Sequence, residues 1–285
     1  MFKYLLYRIG HFIAIHFPLK AAYAIAVTAA DIRLIFADKD RAAVKDNLKA
    51  IFPDKTITEI RKIRRAMFRN FAKYLVDFFR FSKIDKEYIK QNIHIENIRN
   101  FDEAASKKKG VVVLTAHLGN WELGGVVIAI SGYPFWAVAL PHKNNKINDF
   151  FNYQRMIKGV NVIPYGHAVR KCLDVLNKNE LVALVGDRDF SERGILLDFF
   201  GRPSLFPPGP AAFSLRTGAN IVPGFMLRNN DDSFTLRIER PIEFKASGNK
   251  DEDEAALTKK YISIFEDYIR KYPDQWYMFR RFWKQ

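Results

Sequence analysis

Apolar residues recur at helical spacing through the first third of the chain. In residues 39–52 they lie about one helical turn apart, and Pro53 ends the predicted helix. Thr56 and Glu59 then form the T-x-x-E pattern that caps a helix, and helical spacing continues over residues 57–82. The pattern predicts a helical N-terminal part of the chain.

The period of the apolar positions changes after about residue 93. Short apolar runs without polar alternation, typical of strands covered on both faces, alternate with segments of helical spacing. The predicted strands are 110–117, 135–140, 161–165, 181–187, 221–227 and 234–244. The predicted helices are 121–131, 144–158, 167–179 and 252–271.

Strands that alternate with helices predict βαβ units and therefore an α/β fold. We expect a central, mostly parallel β-sheet flanked by helices, preceded by an α-helical, membrane-associating N-terminal segment. Residues 1–92 would form the helical segment and residues 93–285 the α/β domain, joined as one continuous structural unit.

The N-terminal segment is both apolar and basic. Between Arg8 and Asp31 the only full charge is Lys20, but Pro18 and two histidines interrupt the stretch. It therefore has the length of a membrane span, roughly 20 residues, without being apolar throughout. We expect an amphipathic helix in the membrane interface, with a single weak span as the second choice and a helix buried in the domain as the remaining alternative.

The net charge of the chain indicates which classes of molecule it could bind. A formal net charge of +15 over 285 residues favours nucleic acid, anionic lipid or an acidic carrier protein. The basic residues are spread along the chain and no nucleic-acid-binding motif is visible, so we expect no nucleic-acid partner. One cysteine, Cys172, excludes an intramolecular disulfide, and no metal-ligand spacing predicts a metal site.

Residues 110–125, GVVVLTAHLGNWELGG, carry the strongest chemical signal. The predicted strand ends at His117, and Glu122 follows in the first turn of the next helix. Active sites of open α/β sheets lie beyond the carboxyl ends of the strands, so we expect both side chains to converge on one pocket. The alternative is a structural histidine and a helix-capping glutamate.

The residue types suit acyl transfer. A histidine can take a proton from an attacking hydroxyl, and a nearby carboxylate can orient its ring and stabilise its charged form. This stretch contains no serine or cysteine to act as an enzyme nucleophile. The pattern therefore favours direct transfer to a substrate hydroxyl over a covalent acyl-enzyme.

Charged residues after a second predicted strand are further candidates. Asp187 and Arg188 end the strand 181–187 at the same sheet edge as His117, where they could fix its ring or bind a phosphate. Glu192 follows in the same loop and is another carboxylate that could orient His117. We interpret His142, in a loop after another strand, as structural.

Four blocks, in the same order, resemble the late lipid A acyltransferases and the related phosphatidylinositol mannoside acyltransferase. The block AHLGNWE resembles the H-x-x-x-x-[D/E] motif of that family. The other three are RAAVKDNLKAIFP, the long block that starts GDRDFSERG, and PDQWYMFRRFWK. Together they cover nearly the whole chain.

The resemblance implies a glycerolipid-acyltransferase-like fold and O-acyl transfer to a hydroxyl of a membrane glycolipid, first of all a lipid A precursor. The implied donor is an acyl thioester on acyl carrier protein or coenzyme A, with no bound cofactor. His117 would be the base and Glu122 its acidic partner, and Arg155 matches a family arginine that faces the pocket. The implied location is the cytoplasmic face of the bacterial inner membrane.

Three alternatives stay open from the sequence. The acceptor could be another glycolipid or a lysophospholipid. The same His–Glu pair could activate water, which would make the protein a thioester or lipid hydrolase. In another class altogether, the charge and the interleaved aromatic residues would suit a nucleic-acid-binding protein.

Overall fold

The computed structural model describes residues 2–189 and 194–283. The described α-helices are α1 (Phe2–His16), α2 (Leu19–Phe36), α3 (Asp38–Ile51), α4 (Ile57–Phe79), α5 (Lys86–Asn92), α6 (Asn100–Ser106), α7 (Trp121–Ile130), α8 (Asn145–Met156), α9 (Ala168–Asn177), α10 (Gly209–Thr217) and α11 (Lys250–Lys271). The described strands are β1 (Ile93–Glu96), β2 (Val111–Thr115), β3 (Phe135–Ala139), β4 (Val160–Pro164), β5 (Leu181–Val185), β6 (Ile195–Phe199), β7 (Arg202–Phe206), β8 (Asn220–Arg228) and β9 (Phe234–Ile238).

Helix α4 begins at the predicted capping box. The backbone N–H of Glu59 donates to the Thr56 hydroxyl at 3.3 Å, and the N–H of Thr56 donates back to the Glu59 carboxylate at 2.8 Å. Two otherwise unpaired donors of the first turn are thereby satisfied. The helix ends at Phe79, earlier than predicted, because Phe81–Lys83 tighten into a 3₁₀ turn.

The N-terminal apolar residues lie on two helices, α1 and α2, with Pro18 immediately before α2. Proline lacks a backbone N–H and is well suited to the start of a helix. Within the described ranges, no helix combines the length and the apolar character that crossing a bilayer requires.

The central sheet has seven strands in the order β1-β9-β8-β2-β5-β3-β4. All neighbouring strands are parallel except β8 and β9, which pair antiparallel as a hairpin. The α/β fold with a mostly parallel sheet is therefore confirmed. Because β2 and β5 are parallel neighbours, the residues that follow both strands meet at one edge of the sheet.

An apolar core lies on each face of the sheet. The core on one face includes residues of α4, α6, α7 and α8. The core on the other face includes residues of α9, α10 and α11. Burial on both faces explains why β2 and β5 consist of continuous apolar runs.

The C-terminal segment returns to the edge of the sheet where β2 ends. A 3₁₀ turn over Pro273–Gln275 follows α11, and Trp276 then forms an isolated antiparallel bridge with Leu118. The N–H of Tyr277 donates to the carbonyl of His117 at 2.9 Å. The segment that follows α11 thus contacts the backbone of the predicted catalytic turn.

Candidate active site

His117 lies two residues beyond the carboxyl end of β2, and Asp187 lies two residues beyond that of β5. The Nδ1–H of His117 donates to Asp187 Oδ1 at 2.6 Å, and the backbone N–H of His117 donates to Oδ2 at 3.1 Å. The carboxylate thus fixes both the ring and the peptide of the histidine. With Nδ1 carrying the proton, Nε2 is left as the basic atom of the ring.

Asp187 is fully buried, and its second oxygen has a further partner. The indole N–H of Trp276 donates to Asp187 Oδ2 at 3.0 Å. Burial alone would raise the pKa of Asp187, but the charge and hydrogen bond of His117, the Arg188 guanidinium and the indole outweigh it. The pKa of Asp187 therefore lies well below its ordinary value, and the carboxylate stays ionised to stabilise a protonated His117.

The conformation of the turn between His117 and Glu122 depends on a glycine and on a helix cap. Gly119 has φ +65°, and a Cβ at this position would lie 2.0 Å from the carbonyl oxygen of Met226. Only glycine fits this close approach. The side chain of Asn120 caps α7 by accepting from the N–H of Leu123 at 3.1 Å.

Glu122 forms a salt bridge with Arg155 of α8. Arg155 Nη2 donates to Glu122 Oε1 at 2.5 Å and Nε donates to Oε2 at 2.8 Å, a bidentate arrangement. Burial would lower the pKa of Arg155, but the Glu122 carboxylate raises it above its ordinary value. The family resemblance implied that Glu122 is the acidic partner of His117, with Asp187 and Glu192 as further candidates. In the structure the carboxylate bonded to the ring belongs to Asp187, because β5 lies directly beside β2.

The two remaining predicted site residues are Arg188 and Glu192. Arg188 borders the same cavity as His117 and donates to the carbonyl of Tyr277, and burial lowers its pKa. Glu192 falls outside the described residues. The structure thus brings together His117, Glu122, Arg155, Asp187 and Arg188.

A cavity of about 750 Å³ opens beside His117. His117, Glu122 and Arg155 form part of its polar wall, and the His117 side chain is 18% exposed rather than sealed in the interior. Most of the wall is apolar. It includes Val113, Gly124, Gly125, Ile128, Phe135, Ala137, Val160, Ala183, Met226 and Leu236, on the α7 side of the sheet, and Val169, Pro207, Pro210 and Phe213.

The size and chemistry of this cavity suit an apolar chain with one reactive polar end. No serine or cysteine lines it among the described residues. Within the same part of the chain, no group of three or more His, Cys, Asp or Glu side chains is placed to hold a metal ion. The arrangement places an imidazole, held by a buried carboxylate, beside an apolar cavity.

Several residues of the site were not predicted. Trp276 reaches Asp187 from 89 residues away, and its only signal was its place in the C-terminal block of the resemblance. Tyr74 of α4 also lines the cavity, and its burial, reinforced by the Glu122 carboxylate, raises its pKa well above the ordinary value. His142, interpreted as structural, lines the cavity as well, and burial lowers its pKa.

Comparison with known proteins gives one family match over the whole chain and relatives that cover most of it. The family profile described as "Bacterial lipid A biosynthesis acyltransferase" matches residues 1–285. Phosphatidylinositol mannoside acyltransferase of Mycolicibacterium smegmatis is 27% identical over 223 residues, which cover 77% of this chain and 71% of that protein. Lipid A biosynthesis palmitoleoyltransferase of Escherichia coli is 26% identical over 257 residues, which cover 87% and 80%.

A third relative is more distant. Lipid A biosynthesis acyltransferase of Haemophilus influenzae is 20% identical over 241 residues, covering 84% of this chain and 74% of that protein. The matches span both the helical N-terminal part and the α/β part of the chain. They confirm the resemblance drawn from the four sequence blocks.

Proposed function

Because the chain belongs to the bacterial lipid A biosynthesis acyltransferase family and is an acyltransferase, we propose that it moves a fatty acyl group from an acyl thioester to a hydroxyl of a membrane glycolipid. The observation that carries the proposal is the His117 ring, held by buried Asp187 at the wall of an apolar cavity. The thioester is carried by acyl carrier protein or coenzyme A. A lipid A precursor is the first acceptor to test.

The proposed step is a direct displacement at the thioester carbon. His117 Nε2 accepts the proton of the acceptor hydroxyl while its oxygen forms the new C–O bond. The C–S bond then breaks, and the departing thiolate takes the proton from the imidazolium. Asp187 stabilises the imidazolium that exists between these two proton transfers.

Glu122 acts through Arg155 in this proposal. Two hydrogen bonds fix the guanidinium against the carboxylate, so both groups keep one orientation in the cavity wall. Arg155 then presents a fixed positive charge to the polar end of the bound substrates. Arg188 adds a second cation at the same wall.

The apolar part of the cavity would hold the acyl chain. Val113, Ala137 and Ala183 lie on neighbouring strands of the sheet and line the cavity. The glycines of α7 also line the cavity, and they pack closely against Phe135 and Met226. Each methylene buried there contributes about 0.8 kcal/mol to binding. This supports a donor with a long hydrocarbon chain.

Helices α1 and α2 would place the enzyme on the membrane surface, at the cytoplasmic face of the inner membrane. They expose large apolar side chains to solvent, and Lys3, Arg8 and Lys20 add positive charge. Such a surface suits the interface of an anionic bilayer. The exposed apolar residues are Leu5, Leu6, Ile9, Phe12, Phe17, Ile25, Ile32, Ile35 and Phe36.

The test is a transfer assay with the purified protein. A radiolabelled palmitoyl thioester, on acyl carrier protein or coenzyme A, is mixed with anionic vesicles that contain a lipid A precursor, another glycolipid or a lysophospholipid. We expect a labelled lipid from the native protein and none from His117→Ala. The matched control is His94→Ala, because the His94 side chain is 72% exposed on β1.

The labelled product distinguishes acyl transfer from hydrolysis. Free fatty acid alone would identify a hydrolase. Unchanged transfer by His117→Ala, with its fold verified by circular dichroism, would contradict the proposed mechanism. Mass spectrometry of the cell lipids after deletion of the gene would then identify the natural acceptor.

A further inference from the structure

A buried polar network lies behind the turn that carries His117 and Glu122. Asp77 of α4, Arg228 at the end of β8 and Tyr23 of α2 are each less than a tenth exposed. The Tyr23 hydroxyl donates to Asp77 Oδ1, and Arg228 Nη2 donates to Asp77 Oδ2. Arg228 Nη1 also donates to the Tyr23 hydroxyl at 3.1 Å. A buried carboxylate is thus paired with a buried guanidinium.

The network ends at the catalytic turn. Asn120, which is 2% exposed, donates through Nδ2 to Asp77 Oδ2 at 2.9 Å. Its other side-chain atom, Oδ1, caps α7, and its backbone N–H donates to the carbonyl of Met226 at 2.7 Å. Asn120 therefore holds the residues between His117 and Glu122 against two other elements at once.

A second connection ties Arg228 to the same turn. The Gln275 side chain exchanges two hydrogen bonds with the backbone of Arg228, at 2.9 and 2.8 Å. The Gln275 carbonyl accepts from the N–H of Gly119 at 2.9 Å. The turn is thereby fixed at Gly119 and at Asn120, and a small displacement of either residue would move the His117 ring.

We propose that Asp77 is a positioning residue of the transfer reaction. It anchors Asn120, and through Asn120 the turn between His117 and Glu122, while Arg228 and Tyr23 hold Asp77 itself. Tyr23 belongs to the N-terminal helix α2. The position of that helix therefore affects the turn between His117 and Glu122 through the hydrogen bonds of Asp77. This inference rests on the proposed function only for its activity readout.

Asn120→Ser is the sharpest variant. Serine is a good helix cap, so the cap of α7 is kept, while the donor to Asp77 is lost and the Asp77–Arg228 pair stays intact. We expect kcat to fall on the order of 10- to 100-fold, because a shift of about 1 Å in a catalytic group has effects of this size. The KM for the thioester and the thermal unfolding temperature should change little.

Asn100→Ser is the matched control. Asn100 donates through Nδ2 to the carbonyl of Ile238 at 3.0 Å, at the end of β9, two strands away from β2 in the sheet. The exchange removes one amide donor there, as Asn120→Ser does at the turn. We expect kcat of this variant to equal that of the native protein.

Two further measurements keep the proposal falsifiable. Tyr23→Phe removes the link to α2 without changing a charge, and it should lower kcat with unchanged KM even if Asn120→Ser fails to fold. The proton NMR signal of His117 Nδ1–H, bonded to Asp187, should shift or broaden in whichever of the two variants folds, whether or not an acceptor is present.

The outcomes separate this proposal from the proposed function. Native protein that forms no acylated lipid would contradict the proposed function, and the NMR signal would still decide the positioning role. Native transfer with unchanged kcat and an unchanged signal in the folded variants would overturn the role of Asp77. A fall in unfolding temperature without a change in kcat would show that the network is only structural, and would also overturn it.

Discussion

At the scale of single residues, the proposed mechanism depends on one carboxylate that binds two other residues. Asp187 binds the His117 ring with Oδ1, and with Oδ2 it accepts from the Trp276 indole and from the His117 backbone. Because it is fully buried, no water competes for these bonds. The ring can therefore gain and lose a proton without changing its orientation.

Asp187→Asn should separate orientation from charge. The amide can still contact the ring, but it cannot stabilise the imidazolium. We expect kcat for acyl transfer to fall on the order of 10²- to 10⁴-fold, as in other catalytic His–Asp pairs. Asp174→Asn, at an exposed position on α9, is the matched control and should retain native kcat. A loss of less than tenfold in Asp187→Asn would argue against a charged partner for His117.

The same variant has a second readout in the pH dependence of stability. The pKa of Asp187 is lower in the folded than in the unfolded chain, so its stabilising contribution is full above the unfolded value, about 4. It is lost as the pH falls below that value. The thermal unfolding temperature of the native protein should therefore fall more steeply between pH 5 and pH 3 than that of Asp187→Asn. Parallel curves would contradict this assignment.

The local sequence could predict His117 and Glu122 as site residues, because the sixteen residues 110–125 show a strand end followed by glycines. It predicted no partner for Glu122 other than His117, and for His117 it left the carboxylates of Glu122, Asp187 and Glu192 as alternatives. The partner of Glu122 lies 33 residues away on α8, and that of His117 lies 70 residues away after β5. Asp187 was nominated only because it ends a parallel strand, and the indole of Trp276 follows no periodic pattern.

At the scale of elements, α7 and the strands below it form the apolar channel. Ala137 of β3 and Ala183 of β5 are partners in register, and Val113 of β2 is the next neighbour of Ala183. Gly124 and Gly125 of α7 also line the cavity. The two alanines leave a space that larger side chains on the strands would fill.

Ala183→Leu should shorten the preferred acyl chain. The added carbons would occupy space for about two methylenes, each worth about 0.8 kcal/mol, so transfer of a 16-carbon chain should fall roughly tenfold relative to a 10-carbon chain. Ala256→Leu, on the exposed face of α11, is the control and should keep the native ratio. An unchanged ratio in Ala183→Leu would place the acyl chain elsewhere. Competition between the two thioesters in one assay measures the ratio directly.

The elements differ in how far sequence could predict them. The strands β2, β3 and β5 are continuous apolar runs and β4 is interrupted only by Asn161, and each was predicted within a few residues. The hairpin of β6 and β7 was not, because its burial alternates and Pro203 interrupts β7. Strand β1 was also missed, since its four residues, IHIE, are too few to show a period. The strand predicted over 234–244 ends at Ile238.

At the scale of the whole molecule, positive charge and exposed apolar surface occur together at the N-terminal helices. Nine large apolar side chains of α1, α2 and the residue between them are exposed, in a chain of net charge +15. Basic residues near an anionic bilayer contribute about 1 kcal/mol each, and salt screens that part. Apolar insertion is much less sensitive to salt.

Phe12→Ser should release the protein from vesicles. Phe12 is 57% exposed on α1, and loss of its insertion, about 1.5–3 kcal/mol, predicts at least a tenfold weaker partition onto anionic vesicles. Ile57→Ser, at an exposed position that starts α4, is the control. Co-sedimentation at low and high salt measures both contributions. Equal binding by Phe12→Ser and the native protein would show that α1 does not insert.

The return of the C-terminal segment to the sheet has a consequence for biosynthesis. His117, Asp187 and Trp276 leave the ribosome in that order, and the indole that completes the buried carboxylate is among the last groups to emerge. A nascent chain that already exposes α1 and α2 therefore still lacks this buried hydrogen bond. The arrangement of His117, Asp187 and Trp276 can be completed only after synthesis of the chain has passed residue 276.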